Sequence, residues 1–255
     1  MFDWFVHLSP VAQAFIASVG TWLITAGGAA AVLLFRSAPR KLMDSATGFA
    51  AGIMVAASCW SLLIPAMEQG GIVPAIIGLG LGAALLFGFD QLLPHLHVLG
   101  AKPEGLATRW RQAVLLVLAI TLHNIPEGLA IGVAYGGGDV GHATALAIAI
   151  GLQNWPEGLA VALPLRGIGM SRGRALWYGQ LSAVVEPAAA LCGVLLVTWA
   201  QPTLPYALAL AAGAMLYVVV EEMIPEVARE GNIDLATLGF IAGFVAMMAL
   251  DNAFS

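Results

Sequence analysis

Two stretches of this sequence repeat one polar pattern within apolar surroundings. HNIPEGLAIGV begins at His123, and QNWPEGLAVAL begins at Gln153. If both stretches are helical, His123 and Glu127 are four residues apart and share one face, as do Gln153 and Glu157. Imidazole, carboxylate and amide groups ligate divalent metal ions when several of them converge. The repeated pattern therefore predicts a cation site built from two helices.

Each copy also contains an asparagine and a proline. Asn124 and Asn154 lie three residues before the glutamate of their copy and extend the ligand set onto an adjoining face. Pro126 and Pro156 each remove one helical hydrogen bond, which frees the carbonyl four residues earlier. We expect the prolines to kink their helices, so that the loosened backbone and its freed carbonyls can help coordinate a cation.

The composition places this site in a membrane. Apolar residues make up 60% of the 255 residues, the mean hydropathy is +0.90, and only 10% of residues are charged. Because a soluble domain has roughly 25% charged residues, the bilayer must be the solvent for most of this chain. No basic run suggests a nucleic-acid partner.

We predict an all-α, polytopic membrane fold in which residues 1–255 form one transmembrane domain of eight helices. Breaking the chain at its polar and Pro/Gly clusters leaves eight apolar segments of about 20 residues or more, which is enough to cross a bilayer. The predicted spans are 11–35, 43–67, 72–93, 112–135, 142–166, 175–199, 204–227 and 234–254.

The ten basic residues predict the orientation of these spans. All ten lie in or beside the connections that follow spans one, three, five and seven. Because cytoplasmic loops are enriched in Lys and Arg, we expect these connections in the cytoplasm and both termini outside. Spans four and five then cross in opposite directions, and their two polar copies converge near the midplane.

The charges deep inside the spans have only one sign. Glu127, Glu157, Glu186, Glu221 and Glu222 lie well within apolar segments, whereas no Lys or Arg lies at comparable depth. Each central carboxylate costs at least about 2.5–3.5 kcal/mol on insertion scales. Protons or metal cations must therefore neutralise these groups. Protonated glutamates that are hydrogen-bonded between helices are the alternative to a cation site.

Two further side chains at similar depth extend the candidate ligand set. Glu186 lies near the midpoint of span six, and Met54 is central in span two, where core packing explains it equally well. Imidazole, carboxylate and thioether ligands suit Zn²⁺, Cd²⁺ or Fe²⁺ better than Mg²⁺ or Ca²⁺, which prefer oxygen ligands alone.

The paired motif closely resembles the two signature helices of the ZIP (Zrt-, Irt-like protein) family of divalent metal transporters. Eight spans with both termini outside are also similar to that family, in a bacterial form with short loops. The resemblance covers essentially the whole chain and implies an inverted repeat, in which spans one to three correspond to spans six to eight around spans four and five. It further implies the bacterial inner membrane as location and an elevator-like movement of one helical block against another.

The resemblance implies a binuclear metal centre in spans four, five and six. One position would use His123, Glu127, Gln153 and Glu157, with Met54 from span two. The second position would use Asn124, Glu127, Asn154, Glu157 and Glu186. Some relatives have Asp where this chain has Asn154, and the change removes one negative charge from the second position.

Polar residues near the span ends suggest a route for the ion. Glu68, at the outer end of span two, is expected to collect metal. The residues expected to gather towards the cytoplasmic ends of spans three and seven are Asp90, His95, His97, Glu221, Glu222 and Glu226. His95 and His97 resemble the loop histidines that receive metal in ZIP proteins, although simple solvent exposure explains them equally well.

We therefore predict a carrier, not an enzyme, that moves Zn²⁺ or a similar ion such as Cd²⁺, Fe²⁺ or Mn²⁺ into the cytoplasm. A proton-driven carrier of another solute could use the same carboxylates as proton relays. An intramembrane metalloprotease is disfavoured because the H-E-x-x-H motif is absent. Besides the metal and the lipid bilayer, we expect a second copy of the chain as a partner, since spacings such as Gly48/Gly52 and Gly239/Gly243 permit close helix contacts.

Overall fold

A computed structural model describes residues 3–92, 112–228 and 231–254. The predictions for His95 and His97 concern positions outside these ranges. Within them the chain is helical, without a strand, and eight helices are long and apolar enough to cross a membrane. They are α1 (Pro10–Leu33), α2 (Arg40–Gly70), α3 (Ile72–Leu92), α4 (Gln112–Gly136), α5 (Val140–Gly167), α6 (Arg172–Trp199), α7 (Gln201–Ala228) and α8 (Ile233–Phe254). Each predicted span falls on one of these helices, so the predicted all-α, eight-helix membrane fold is confirmed.

The helices pack into two groups. In the first group, α1 packs most closely against α5 and α4 against α6. In the second group, α2 packs against α8 and α3 against α7. Further contacts of α4 with α7 and of α5 with α2 and α8 join the two groups.

This pairing is unchanged when the first three helices are exchanged with the last three and α4 with α5. Exchanging α1 with α6, α4 with α5, α2 with α7 and α3 with α8 converts each of the four closest pairs into another of the four. An inverted repeat would produce such a pattern. The repeat itself and the side on which the termini lie stay predictions.

Glycine allows close approach within these pairs. A Cβ on Gly48 of α2 would overlap the backbone oxygen of Ala236 in α8, and a Cβ on Gly52 would overlap that of Phe240. The other small-residue spacings, at Gly128, Gly132 and Gly136 and at Gly239 and Gly243, also face neighbouring helices of the same chain. These surfaces therefore contact helices of the same chain and are not available to a second copy. The small-residue spacings no longer support the expected homodimer.

A short hairpin holds α4 and α5 antiparallel. Residues 137–139 connect the helices, and Gly138 has a φ of 88°, a left-handed conformation that glycine adopts without strain. Asp139 then caps α5, because its side chain accepts a hydrogen bond from the backbone nitrogen of His142. The tight connection keeps the two polar copies on adjacent helices.

In the described residues, the breaks and π-helical turns lie in helices other than α4 and α5. Helices α4 and α5 are continuous through Pro126 and Pro156, and the expected kinks stay a prediction. The interrupted helix is α6, where residues 182–184 separate two helical halves. Helices α2 and α7 contain π-helical turns at Ser58–Leu63 and Val219–Met223. A tightly packed membrane bundle tolerates a proline in a continuous helix because neighbouring groups can satisfy the freed carbonyl.

Candidate metal centre

Three ionisable side chains from α4 and α5 converge inside the bundle. His123, Glu127 and Glu157 are buried, and each offers a ligand atom within 4.8 Å of those of the other two. The Nε2 atom of His123 lies 3.9 Å from Oε1 of Glu127 and 3.8 Å from Oε1 of Glu157. In the part of the chain that the structure describes, no other group of three His, Cys, Asp or Glu side chains has this geometry.

Gln153 joins the two carboxylates. Its Nε2 atom donates a hydrogen bond to Oε1 of Glu127 and, at 3.5 Å, another to Oε1 of Glu157. The predicted first ligand position, with His123, Glu127, Gln153 and Glu157, is therefore one contiguous cluster. Met54 is fully buried within the apolar core around α2, and its role as a ligand stays a prediction.

Seven buried nitrogen and oxygen atoms at this place have no hydrogen-bond partner. They are Nδ1 and Nε2 of His123, Oδ1 of Asn124, Oε2 of Glu127, Oε1 of Gln153, Oδ1 of Asn154 and Oε2 of Glu157. Each unsatisfied buried polar group costs about 1–3 kcal/mol, and folded proteins contain few of them. One nitrogen of a neutral imidazole carries a proton, and the other six atoms each present a lone pair. This set of atoms fits a cation.

Glu186 lies beside this cluster and has partners of its own. Asn154 Nδ2 donates to Oε1 of Glu186 at 2.9 Å and to the backbone oxygen of Thr21 at 3.3 Å. The hydroxyl of Thr21 donates to Oε2 of Glu186. Asn124 Nδ2 donates to the backbone oxygen of Ser182 at the break in α6. Thr21 was missed in the sequence, because a single threonine in an apolar span gives no sign of which helix it faces.

Glu222 is closer to the centre than the sequence suggested. Its Oε2 atom lies 3.6 Å from Nδ1 of His123. The imidazole therefore lies between Glu157 of α5 and Glu222 of α7. Glu221 is exposed and does not line the cavity beside the centre. Consecutive residues of a helix do not share a face, which separates these two glutamates.

A cavity of about 290 Å³ extends from the centre to one end of the bundle. His123, Glu157 and Glu222 line its inner part, and the exposed Arg36 lies at its outer part. Three charged side chains form an ion-pair network on its wall. Arg40 Nε lies 2.8 Å from Oδ1 of Asp44, and Arg40 Nη2 lies 3.0 Å from Oε1 of Glu226.

The remaining predicted pathway residues lie elsewhere. Glu68 lines a second cavity, of about 390 Å³, at the opposite end of α2, together with Asp139, His142 and Asp251. Asp90 is buried near the end of α3 and does not line either cavity. Glu226 and Glu222 are therefore the two predicted exit residues that line the cavity adjoining the centre.

Comparison with known proteins gives one consistent family. The model of the ZIP zinc transporter family matches residues 97–251. The zinc transporter ZIP11 of Bos taurus is 41% identical, over 95% of this chain and 97% of the relative. The zinc transporter GufA of Myxococcus xanthus is 41% identical over 92% of this chain and 96% of the relative, and the zinc transporter ZIPB of Bordetella bronchiseptica is 41% identical over 95% and 82%.

Proposed function

Because the chain belongs to the ZIP zinc transporter family, it is a multi-pass membrane transporter and not an enzyme, and we propose that it carries Zn²⁺ into the cytoplasm through the centre around His123. The supporting observation is the cluster of buried lone-pair atoms on His123, Glu127, Gln153 and Glu157 that have no hydrogen-bond partner among the described residues. A divalent cation would satisfy these atoms and would neutralise two carboxylates at once.

The distances in this cluster suit zinc with little rearrangement. Tetrahedral zinc with bonds of about 2.0–2.2 Å holds its ligand atoms roughly 3.3–3.5 Å apart. The imidazole nitrogen and the two carboxylate oxygens are separated by 3.8 and 3.9 Å, so small side-chain shifts bring them into range. Rotating the Gln153 amide by half a turn replaces its donor nitrogen by an oxygen ligand. The set contains no thiolate, which favours the exchangeable binding that a carrier needs.

The same ligands accept neighbouring transition metals. Imidazole and carboxylate bind Cd²⁺, Fe²⁺ and Mn²⁺ as well as Zn²⁺, and affinity alone separates these ions poorly. We propose Zn²⁺ as the main cargo because the similar proteins are named zinc transporters.

The proposed direction rests on the cavities and on the basic connections. The cavity beside the centre reaches Arg36 and Arg40, in the connection that the positive-inside bias assigns to the cytoplasm. We propose that the ion leaves along Glu222 and Glu226, and that Glu68 collects ions at the other end. Bacterial relatives support an inner-membrane location for this chain.

The two packing groups support an elevator mechanism. His123, Glu127, Gln153 and Glu157 all belong to the group of α1, α4, α5 and α6, whereas Glu222 belongs to the other group. Movement of the first group along the second would carry the whole centre across the membrane without taking its ligands apart. Such movement would expose the site to one side of the membrane and then to the other.

Uptake of radioactive zinc into proteoliposomes tests this function. We expect uptake by His123→Ala and by Glu127→Ala to fall to the level of protein-free vesicles, because each change removes a proposed ligand. His7→Ala is the matched control, since His7 is exposed before α1. Undiminished uptake by both centre variants would reject the site. Transport of another solute in the absence of divalent metal would favour the proton-driven carrier.

A further inference from the structure

The glutamates at the centre differ in what they offer a metal. Glu127 and Glu157 each retain one buried oxygen without a hydrogen-bond partner. Glu186 retains none, because Thr21 and Asn154 each donate to one of its two oxygens. A metal at Glu186 would have to share each carboxylate oxygen with a donor that is already bound to it.

The partners of Glu186 hold three helices together. Thr21 belongs to α1, Asn154 to α5 and Glu186 to the second half of α6, directly after the break. The Asn154 amide also donates to the backbone oxygen of Thr21, so it links α5 to α1. Satisfied polar networks of this kind define one arrangement of the surrounding helices. Thr21, Asn154 and Glu186 therefore connect helices α1, α5 and α6 to one another.

The charge of the centre favours a single divalent ion. The three buried glutamates at 127, 157 and 186 carry at most three negative charges, and the fourth carboxylate, Glu222, lies 3.6 Å from His123 and belongs to the other helical group. Asn154 is neutral, and among the described residues no Lys or Arg is buried with these glutamates. A second divalent ion beside Asn154 and Glu186 would therefore have fewer negative ligands in its own helical group than two divalent ions require, which is unfavourable in a buried site.

We propose that the centre holds one divalent ion, bound at His123, and that Asn154 sets this stoichiometry by keeping Glu186 in a hydrogen-bonded connection with Thr21. The inference rests on the proposed function, because it presumes that the His123 cluster binds metal. An aspartate at 154 would remove the amide donor, add the missing negative charge and open Glu186 to a second ion.

Metal counting on the purified full chain tests the proposal. The protein in detergent is stripped with chelator, reloaded with Zn²⁺ and analysed for zinc per chain. Each count is compared with that of the same chain carrying Glu127→Ala, so that ions bound elsewhere cancel. We expect the wild type to bind one zinc ion more than its Glu127→Ala variant. The Asn154→Asp protein should bind two more than the same protein with Glu127→Ala added. Gln201→Glu, the same kind of amide-to-acid change at an exposed position, should give one.

A double variant identifies the ligand of the added ion. Asn154→Asp combined with Glu186→Gln should return the difference to one, because the second position loses the glutamate that Asn154→Asp exposed. A difference of two in the wild type, or of one in Asn154→Asp, would overturn the inference while leaving the proposed function intact. A difference of zero in the wild type would reject the proposed function itself.

X-ray absorption on the wild type gives a test that does not depend on the folding of any variant. Because His123 is the one histidine that the described residues place at the centre, a single bound zinc is expected to have one imidazole ligand, whereas two zinc ions would average half an imidazole each. We expect one imidazole per zinc, with no zinc–zinc scattering at about 3.5–4 Å. A zinc–zinc vector at that distance would overturn the proposal.

Discussion

His123 and Glu222 meet across the boundary between the two helical groups, with Nδ1 of the imidazole 3.6 Å from Oε2 of the carboxylate. The other imidazole nitrogen faces Glu127 and Glu157 within its own group. The imidazole therefore belongs to the proposed binding site and also contacts Glu222 on the wall of the cavity. We propose that the ion leaves through this cavity.

Glu222 is expected to speed release of the ion. Glu222→Gln should lower the rate of zinc uptake by about tenfold, the change produced by losing about 1.4 kcal/mol of stabilisation along the route. The zinc count at the centre should remain that of the wild type. Glu221→Gln is the control, because its exposed side chain does not line the cavity. Equal effects of the two variants on uptake would show that the local negative charge matters and not the position of Glu222.

The contact of α2 with α8 is expected to need glycine at position 52. In Gly52→Ala the added Cβ overlaps the backbone oxygen of Phe240, so the helices must separate, at a cost of about 1–3 kcal/mol. Thermal unfolding in detergent should occur at a lower temperature. Gly80→Ala on α3 should leave this temperature unchanged or raise it, because no atom lies within 4 Å of the added Cβ and alanine favours the helix. A stable Gly52→Ala protein would contradict the packing described.

Arg40 is expected to stabilise the wall of the cavity. It pairs with Asp44, whose side chain is 1% exposed, and with Glu226 of α7. Arg40→Ala leaves a buried carboxylate without its cation, which is costly even though Asn232 still donates to Asp44. Thermal stability should fall, and adding Asp44→Asn should restore part of it. Lys41→Ala, at the next and exposed position, should have little effect. Failure of Asp44→Asn to rescue would show that the ion pair is not the cause.

Thr21 is expected to stabilise the connection of α1 to α6. Thr21→Val keeps the shape of the side chain but removes the donor to Oε2 of Glu186, which should lower the free energy of unfolding by about 1–3 kcal/mol. Thr237→Val is the control, because that exposed hydroxyl donates only within α8. Thermal unfolding of both proteins measures the difference. If Thr237→Val is as destabilising as Thr21→Val, the contact with Glu186 contributes nothing.

The sequence alone determined the membrane setting, the eight helices and the core of the proposed metal centre. Span length follows from hydropathy, and the closeness of His123 to Glu127 follows from helical spacing within one helix. The repeated motif also identified the family. Each of these conclusions depends on residues that are near one another along the chain.

Only the tertiary structure decided which residues from other helices complete the site. Glu222 beside His123, Thr21 on Glu186 and the break in α6 before Glu186 all depend on how the helices pack. Hydropathy does not predict this packing, because lipid is as apolar as the protein interior and lipid-facing residues resemble buried ones. The division into two groups, with the proposed ligands on one and Glu222 on the other, is for the same reason a property of the folded chain.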